Sequence, residues 1–383
     1  MLKRTALLVA LLAILVSALP GCRAASSTIP IGLEGPITGD YANEGKGFEN
    51  ALKLLVEQTN AAGGILGRKV ELFVEDDKGD AKEAALVADR LKSKKVIAVI
   101  GAYNSSATEP ASGIYNEAGI LHITPSSTAT RLTTKGYKRF FRVCFLDDRQ
   151  GLFAATYITK VMGGKKVGVL HDNSTYAQGL AEWTKKYLEE QGATVPFFDA
   201  INDKDKDFTP ILTKIKAAGL DAIYFTGYYA QGGLLLKQGK DLGLTTPWVM
   251  GNACNNPQLV QIAGLDAAKG TIVTTEPLPT DLDYPEAKKF NEDYKAKYGT
   301  YPESVWTVMA ADAFRVIKYA IEQTKSTDPA KLAEFLHSDQ FKDYPGITGP
   351  IIGFDEKGDR KGTVHKAYVV SDKGEFVLSP KQP

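Results

Sequence analysis

The chain is poor in cysteine, histidine and net charge, and each shortage removes a class of function. Three cysteines and four histidines stand in 383 residues. There is no Cys-x-x-Cys, and His122, His171, His337 and His365 show no metal-ligand spacing. No metal or other cofactor is expected. Lys plus Arg (46) nearly cancels Asp plus Glu (45), so the net charge of +1 lacks the basic footprint of a nucleic-acid binder. G-x-S-x-G, P-loop, G-x-G-x-x-G and H-E-x-x-H patterns are all missing, and only His171-Asp172, at a strand end, pairs catalytic residue types. An enzyme is therefore disfavoured.

Long apolar runs are also scarce. The one near the N-terminus, Leu7 to Leu19, follows Lys3 and Arg4 and is short for a membrane span, as in an export signal. Leu19-Pro20-Gly21-Cys22 closes it and resembles the lipobox of bacterial lipoproteins, which implies a lipid anchor on Cys22 and residues 23–27 as a tether. Cys144 and Cys254 then remain; two thiols in an exported protein could pair, but sequence does not show whether their Cα atoms are close.

What is abundant is alternation. Short apolar strands such as Ile29–Leu33, Val70–Val74, Val96–Ile100, Lys166–Leu170, Ala222–Phe225 and Pro247–Met250 alternate with amphipathic stretches of helical length. That rhythm predicts an α/β protein with parallel sheets covered on both faces. Helices are expected over 47–60, 81–91, 176–191, 208–218, 230–242, 284–298 and 303–323. Turn clusters at Phe354–Asp359 and Ser371–Gly374 mark a strand-rich tail.

Two consecutive strand-to-helix turns stand out. Val96–Gly101 opens into Ala102-Tyr103-Asn104-Ser105-Ser106-Ala107-Thr108, and Gly119–Thr124 into Pro125-Ser126-Ser127-Thr128. Hydroxyls and free amides at a helix N-terminus suit a small anion, because the helix dipole places partial positive charge there. The same residue types also serve as helix caps, and Ser106 with Glu109 fits a capping box.

These residues resemble the leucine/isoleucine/valine-binding protein family, the type I solute-binding lipoproteins of ABC transporters. The likeness runs from Gly32 to Gly358 and is carried by Asn60–Ile65, Ser105–Thr108, Ser112–Pro125, Asp148–Gly151 and Phe354–Gly358. The resemblance implies two doubly wound parallel-sheet lobes joined by a three-crossing hinge. Residues 29–145 with 276–345 would form the first lobe and 146–275 with 346–383 the second, after a signal peptide (1–21) and a tether (22–28). It implies a monomeric, exported, lipid-anchored protein that captures a small carboxylate or amino acid and hands it to permease subunits. The alternative is a ligand-sensing receptor of the same clamp fold that binds a non-amino-acid acid or amide.

By resemblance, Ser105, Ser126 and Thr128 hold the ligand carboxylate, and Tyr176 and Tyr228 close on it from the second lobe. Asn252 stands where an acidic residue usually meets the ligand ammonium, and Glu44 where a Tyr often faces its side chain. Glu44 is thus a candidate for the missing charge, or else a solvated loop carboxylate. The family's frequent first-lobe disulfide is missing, since Asp77–Asp80 and Tyr103-Asn104 carry no Cys.

Overall fold

The computed structural model describes residues 28–383, so the signal segment, Cys22 and the tether up to 27 lie outside the described residues. Five strands form a wholly parallel sheet: β1 (Thr28–Gly35), β2 (Lys69–Asp76), β3 (Ala98–Ile100), β4 (Leu121–Thr124) and β5 (Phe140–Arg142), in the order β2-β1-β3-β4-β5. Ala98–Ile100 and Leu121–Thr124 are buried throughout, as continuous apolar runs must be when helices cover both faces of a sheet.

The second sheet has seven strands. They are β6 (Lys166–His171), β7 (Thr194–Ala200), β8 (Ala222–Thr226), β9 (Trp248–Met250), β10 (Ile272–Thr275), β11 (Lys366–Val370) and β12 (Phe376–Leu378). Their order is β12-β11-β10-β9-β8-β6-β7. This sheet departs from the all-parallel expectation: β11 and β12 pair antiparallel at one edge, where the turn at Ser371–Gly374 returns the chain on itself as a hairpin.

Helices Pro285–Tyr298, Val305–Thr324 and Pro329–His337 return to the first sheet, the middle one packing along helix Ala42–Ala61. The approach of that helix pair is close enough that a Cβ on Gly47 would lie 2.2 Å from Thr307 Oγ1. Fourteen of the twenty residues in Val305–Thr324 are buried, so this helix is a core element rather than a half-exposed cover. Helix Ala42–Ala61 begins five residues before the expected start at 47, taking Glu44 from a loop into a helical first turn.

The chain passes between the sheets three times: after β5, after β10 and before β11. The third passage lies later than the boundary at 346. Residues 346–360 still belong with the first sheet, where buried Asp312 accepts from the Ile347 and Thr348 amides (2.6 and 2.9 Å) and Asp359 pairs with Arg142. Sequence placed that boundary early because turn-rich residues carry no apolar period to say which sheet they serve.

Candidate functional site

Both strand-to-helix turns form at carboxyl ends of neighbouring strands, where open α/β sheets expose loops and helix N-termini to ligands. After β3, Gly101 adopts φ +143°, and a Cβ there would sit 2.2 Å from Glu34 O. Only glycine fits that approach. Asn104 is the residue before helix Ser105–Glu117, and its side chain makes no cap.

The capping box expected from Ser106 and Glu109 does not form. Ser106 Oγ instead accepts from the Thr175 amide across the cleft (3.1 Å), and Glu109 pairs with Arg131 and Lys135. Long-range partners won over the local motif at both residues.

Hydroxyls stitch the two turns together. Ser126 Oγ donates to Tyr103 O (3.1 Å), Thr124 Oγ1 to Ala102 O (3.0 Å), and Ser127 Oγ meets Thr108 Oγ1 at 2.7 Å. Arg142, fully buried, holds the second turn from behind. It pairs with Asp359 (2.5 Å) and donates to the Ser127 and Ala129 carbonyls (2.9 and 3.1 Å) on either side of Thr128. Thr128 Oγ1 is the exception among these hydroxyls: it is buried and has no hydrogen-bond partner. Such an orphan is rare in a folded protein and marks a place kept for something else.

The second half of the site comes from strand ends of the other sheet. Tyr176 follows the Ser174 cap of helix Thr175–Glu190, and Tyr228 precedes helix Tyr229–Asp241. Tyr176 Oη donates to Asn252 Oδ1 (2.9 Å). The Asn252 amide in turn donates to the Glu276 carboxylate at 3.3–3.4 Å. One small cavity brings six expected residues together: Ser105, Ser126, Thr128, Tyr176, Tyr228 and Asn252, joined by Tyr103, Ala253 and Trp306. It offers water about 10 Å³, the room of roughly one molecule, whereas ligand pockets usually measure about 300–1,000 Å³. The cleft is therefore closed, and an amino-acid-sized ligand enters only if the lobes part.

Contacts across the cleft account for that closure. Tyr229 Oη donates to Asp40 O (2.9 Å), Arg131 to Thr175 Oγ1 (2.9 Å) and Trp183 Nε1 to Thr130 Oγ1 (3.3 Å). Tyr41 of the first lobe packs its ring 4.7 Å from that of Tyr228. Glu44 belongs to this set. It is 1% exposed, accepts from Asn256 Nδ2 (2.8 Å), and does not line the cavity. It is neither a solvated loop carboxylate nor a cavity-lining charge in the closed state.

The carboxylates that do stand behind the cavity are two that the sequence reading overlooked. Glu276, at the end of β10, is fully buried, and burial pushes it up to about 7. Its neighbour His365 Nε2, at 3.8 Å, is held neutral because burial drives that imidazole down to about 3. Asp147, opening helix Asp147–Thr156, is likewise pushed up to about 7 by burial, with the Thr128 side chain and the Arg142 charge working against that rise. The signal was present, since Thr275-Glu276 ends a strand and Asp147 adjoins Asp148–Gly151. Nothing local shows, however, that an acid at a strand end turns inward. Cys144 and Cys254 are free and buried, and burial raises both thiols, so they act as small apolar side chains.

Two α/β lobes whose strand-end loops close on a shared cavity define a two-lobed solute-binding protein. The chain belongs to the leucine/isoleucine/valine-binding family of type I periplasmic binding proteins; the periplasmic binding protein family model matches residues 28–374. A Pseudomonas aeruginosa protein named for binding leucine, isoleucine, valine, threonine and alanine is 38% identical over 345 residues, 90% of each chain. A Thermotoga maritima leucine-binding protein superposes with TM-score 0.85 at 31% identity, covering 92% of this chain and 97% of that one. The branched-chain amino acid transporter substrate-binding protein of Streptococcus pneumoniae, solved with isoleucine, gives TM-score 0.82 at 31% identity, covering 93% of this chain and all of that one.

Proposed function

We propose that this protein is the exported solute-binding component of an ABC transporter, capturing a small aliphatic amino acid in the interlobe cavity and presenting it to permease subunits. It acts as a binder and not as an enzyme, works as a monomer, and is anchored through a lipid on Cys22. The observation that carries the reading is the meeting of Ser105, Ser126 and Thr128 from one lobe with Tyr176, Tyr228 and Asn252 from the other. A carboxylate would lie on the Ser105 helix end and against the unpaired Thr128 hydroxyl, where amides and dipole favour it.

The charge behind that cavity favours an amino acid over its deaminated acid. No Lys or Arg lines it; Asp147 and Glu276 stand behind it, each partly answered by a buried arginine, Arg142 and Arg360 respectively. A bare carboxylate must hold its charge beside two carboxyl groups that burial already pushes up to about 7; a zwitterion brings its own ammonium to answer them. Asn252, hydrogen-bonded to Glu276, relays that charge to the position where an acid would otherwise stand.

Closure around the ligand follows from the interlobe hydrogen bonds, which form only when the cleft shuts and so bias the hinge toward the liganded state. The test is a panel of aliphatic and polar amino acids beside their deaminated acids, read by tyrosine and tryptophan fluorescence. Saturable binding of leucine, isoleucine or valine with weak binding of the acids is expected. Binding of the acids alone would refute the ammonium assignment, and silence across the panel would refute the site.

A further inference from the structure

A larger cavity than the closed one is present. It lies beside it, between the lobes, with a volume of about 610 Å³. Tyr228 lines both spaces, and Asn104 and Ser106 of the outer chamber flank Ser105 of the inner one. Two side chains of the outer chamber, each beside Tyr228, carry a buried oxygen with no partner within full hydrogen-bond distance: Asn104, 2% exposed, at Oδ1, and Asp172, 2% exposed, at Oδ2. One belongs to each lobe, and a buried acceptor left unmatched carries a cost that a ligand donor recovers.

The remaining lining fixes the sign of that donor. Asp80, Asp172 and Asp203 stand against Lys204. Helix N-termini also open here, which would suit an anion, but side chains already occupy their amides. Asp80 accepts from Lys82 and Glu83, Ser174 from Ala177, and Asp172 Oδ1 from Ser174. Burial raises Asp172 to about 6, against hydrogen bonds from Ser174 and Tyr228 that favour its charged form. No three metal-ligating side chains gather among the described residues, so an organic cation is the fitting occupant.

We propose that the outer chamber is a second subsite, taking an ammonium or guanidinium group between Asn104 and Asp172. That group is either the far end of a ligand whose carboxylate occupies the inner cavity, an assignment resting on the proposed function, or a small free cation. An aliphatic side chain carries no donor for these oxygens; a basic amino acid does.

Calorimetric titration of the purified full chain with leucine, arginine and agmatine, the decarboxylated form of arginine, tests this. Arginine is expected to bind. Asp172→Asn, which keeps the acceptor for Ser174, should weaken arginine about tenfold or more and leave leucine within about twofold. Asp203→Asn, at an exposed residue, should weaken arginine by a smaller factor in the same direction. Arginine binding with agmatine silent identifies the tail of a carboxylate-anchored ligand; agmatine binding beside bound leucine identifies a free cation. Leucine binding with arginine and agmatine both silent overturns the subsite and leaves the proposed function intact. Arginine binding that Asp172→Asn does not change overturns it as well, and silence of all three compounds overturns both.

Discussion

Replacing Thr128 by Val separates a ligand contact from a structural hydroxyl more cleanly than any other single change. The two side chains are nearly the same shape, so the substitution removes one oxygen and little else. In the closed cleft that oxygen is buried with no partner within full hydrogen-bond distance, beside the Asp147 carboxylate. Stability should therefore hold or rise, by up to about 1 kcal/mol, because an unsatisfied buried hydroxyl is a cost that valine does not carry. Ligand affinity should move the opposite way. A hydrogen bond to a charged carboxylate contributes about 1.5–3 kcal/mol, which corresponds to roughly 10- to 150-fold in Kd. Calorimetry with leucine and a thermal melt of the ligand-free protein read the two effects on one preparation. An affinity within twofold of the unaltered protein, or a melt lowered by many degrees, would show that Thr128 is part of the scaffold and not of the site.

Four further outcomes follow from the same geometry. Arg142→Met should cost about 3–5 kcal/mol in denaturant unfolding, because it strands buried Asp359 and releases the Ser127–Ala129 turn. Asp147 and Glu276 are raised to about 7 in the fold, so the folded protein holds more protons than the unfolded chain between about pH 4 and 7. The stability they lend is complete below pH 4 and is lost as pH rises through 7. The ligand-free melt should accordingly fall from pH 5 to pH 8, and Asp147→Asn should flatten the slope. Glu44→Ala should weaken every ligand by a similar small factor, since it breaks the bond to Asn256 that holds the lobes shut, whereas ligand-selective loss would make it a specificity residue. Ser105→Ala should weaken amino acids and their deaminated acids alike, as checked by competition titration.

Much of the fold was legible because period and composition are local. Ala98–Ile100 and Ala222–Thr226 are buried on both faces, and their unbroken apolar runs said so. Helix starts were less so: Ala42–Ala61 opens without a side-chain cap, so no motif announced it. The first lobe's share of the site was readable because its residues crowd two short loops. Tyr176, Tyr228 and Asn252 were reached through family resemblance, which knows what three-dimensional closure brings together. Glu276 and Asp147 escaped because inward orientation depends on packing from distant segments, such as His365 beside Glu276. The burial of Glu44 was hidden for the same reason, since its partner Asn256 lies 212 residues away.

The most direct test of the central claim is a paired calorimetric titration with leucine and with 4-methylpentanoate, its deaminated counterpart, on the unaltered protein at pH 7. Leucine should saturate a single site and bind at least about tenfold more tightly, the factor expected when a charge in a closed cavity finds its partner. Equal affinity, or preference for the acid, would contradict the account, because Asp147, Glu276 and Asn252 would then do nothing to select the ligand.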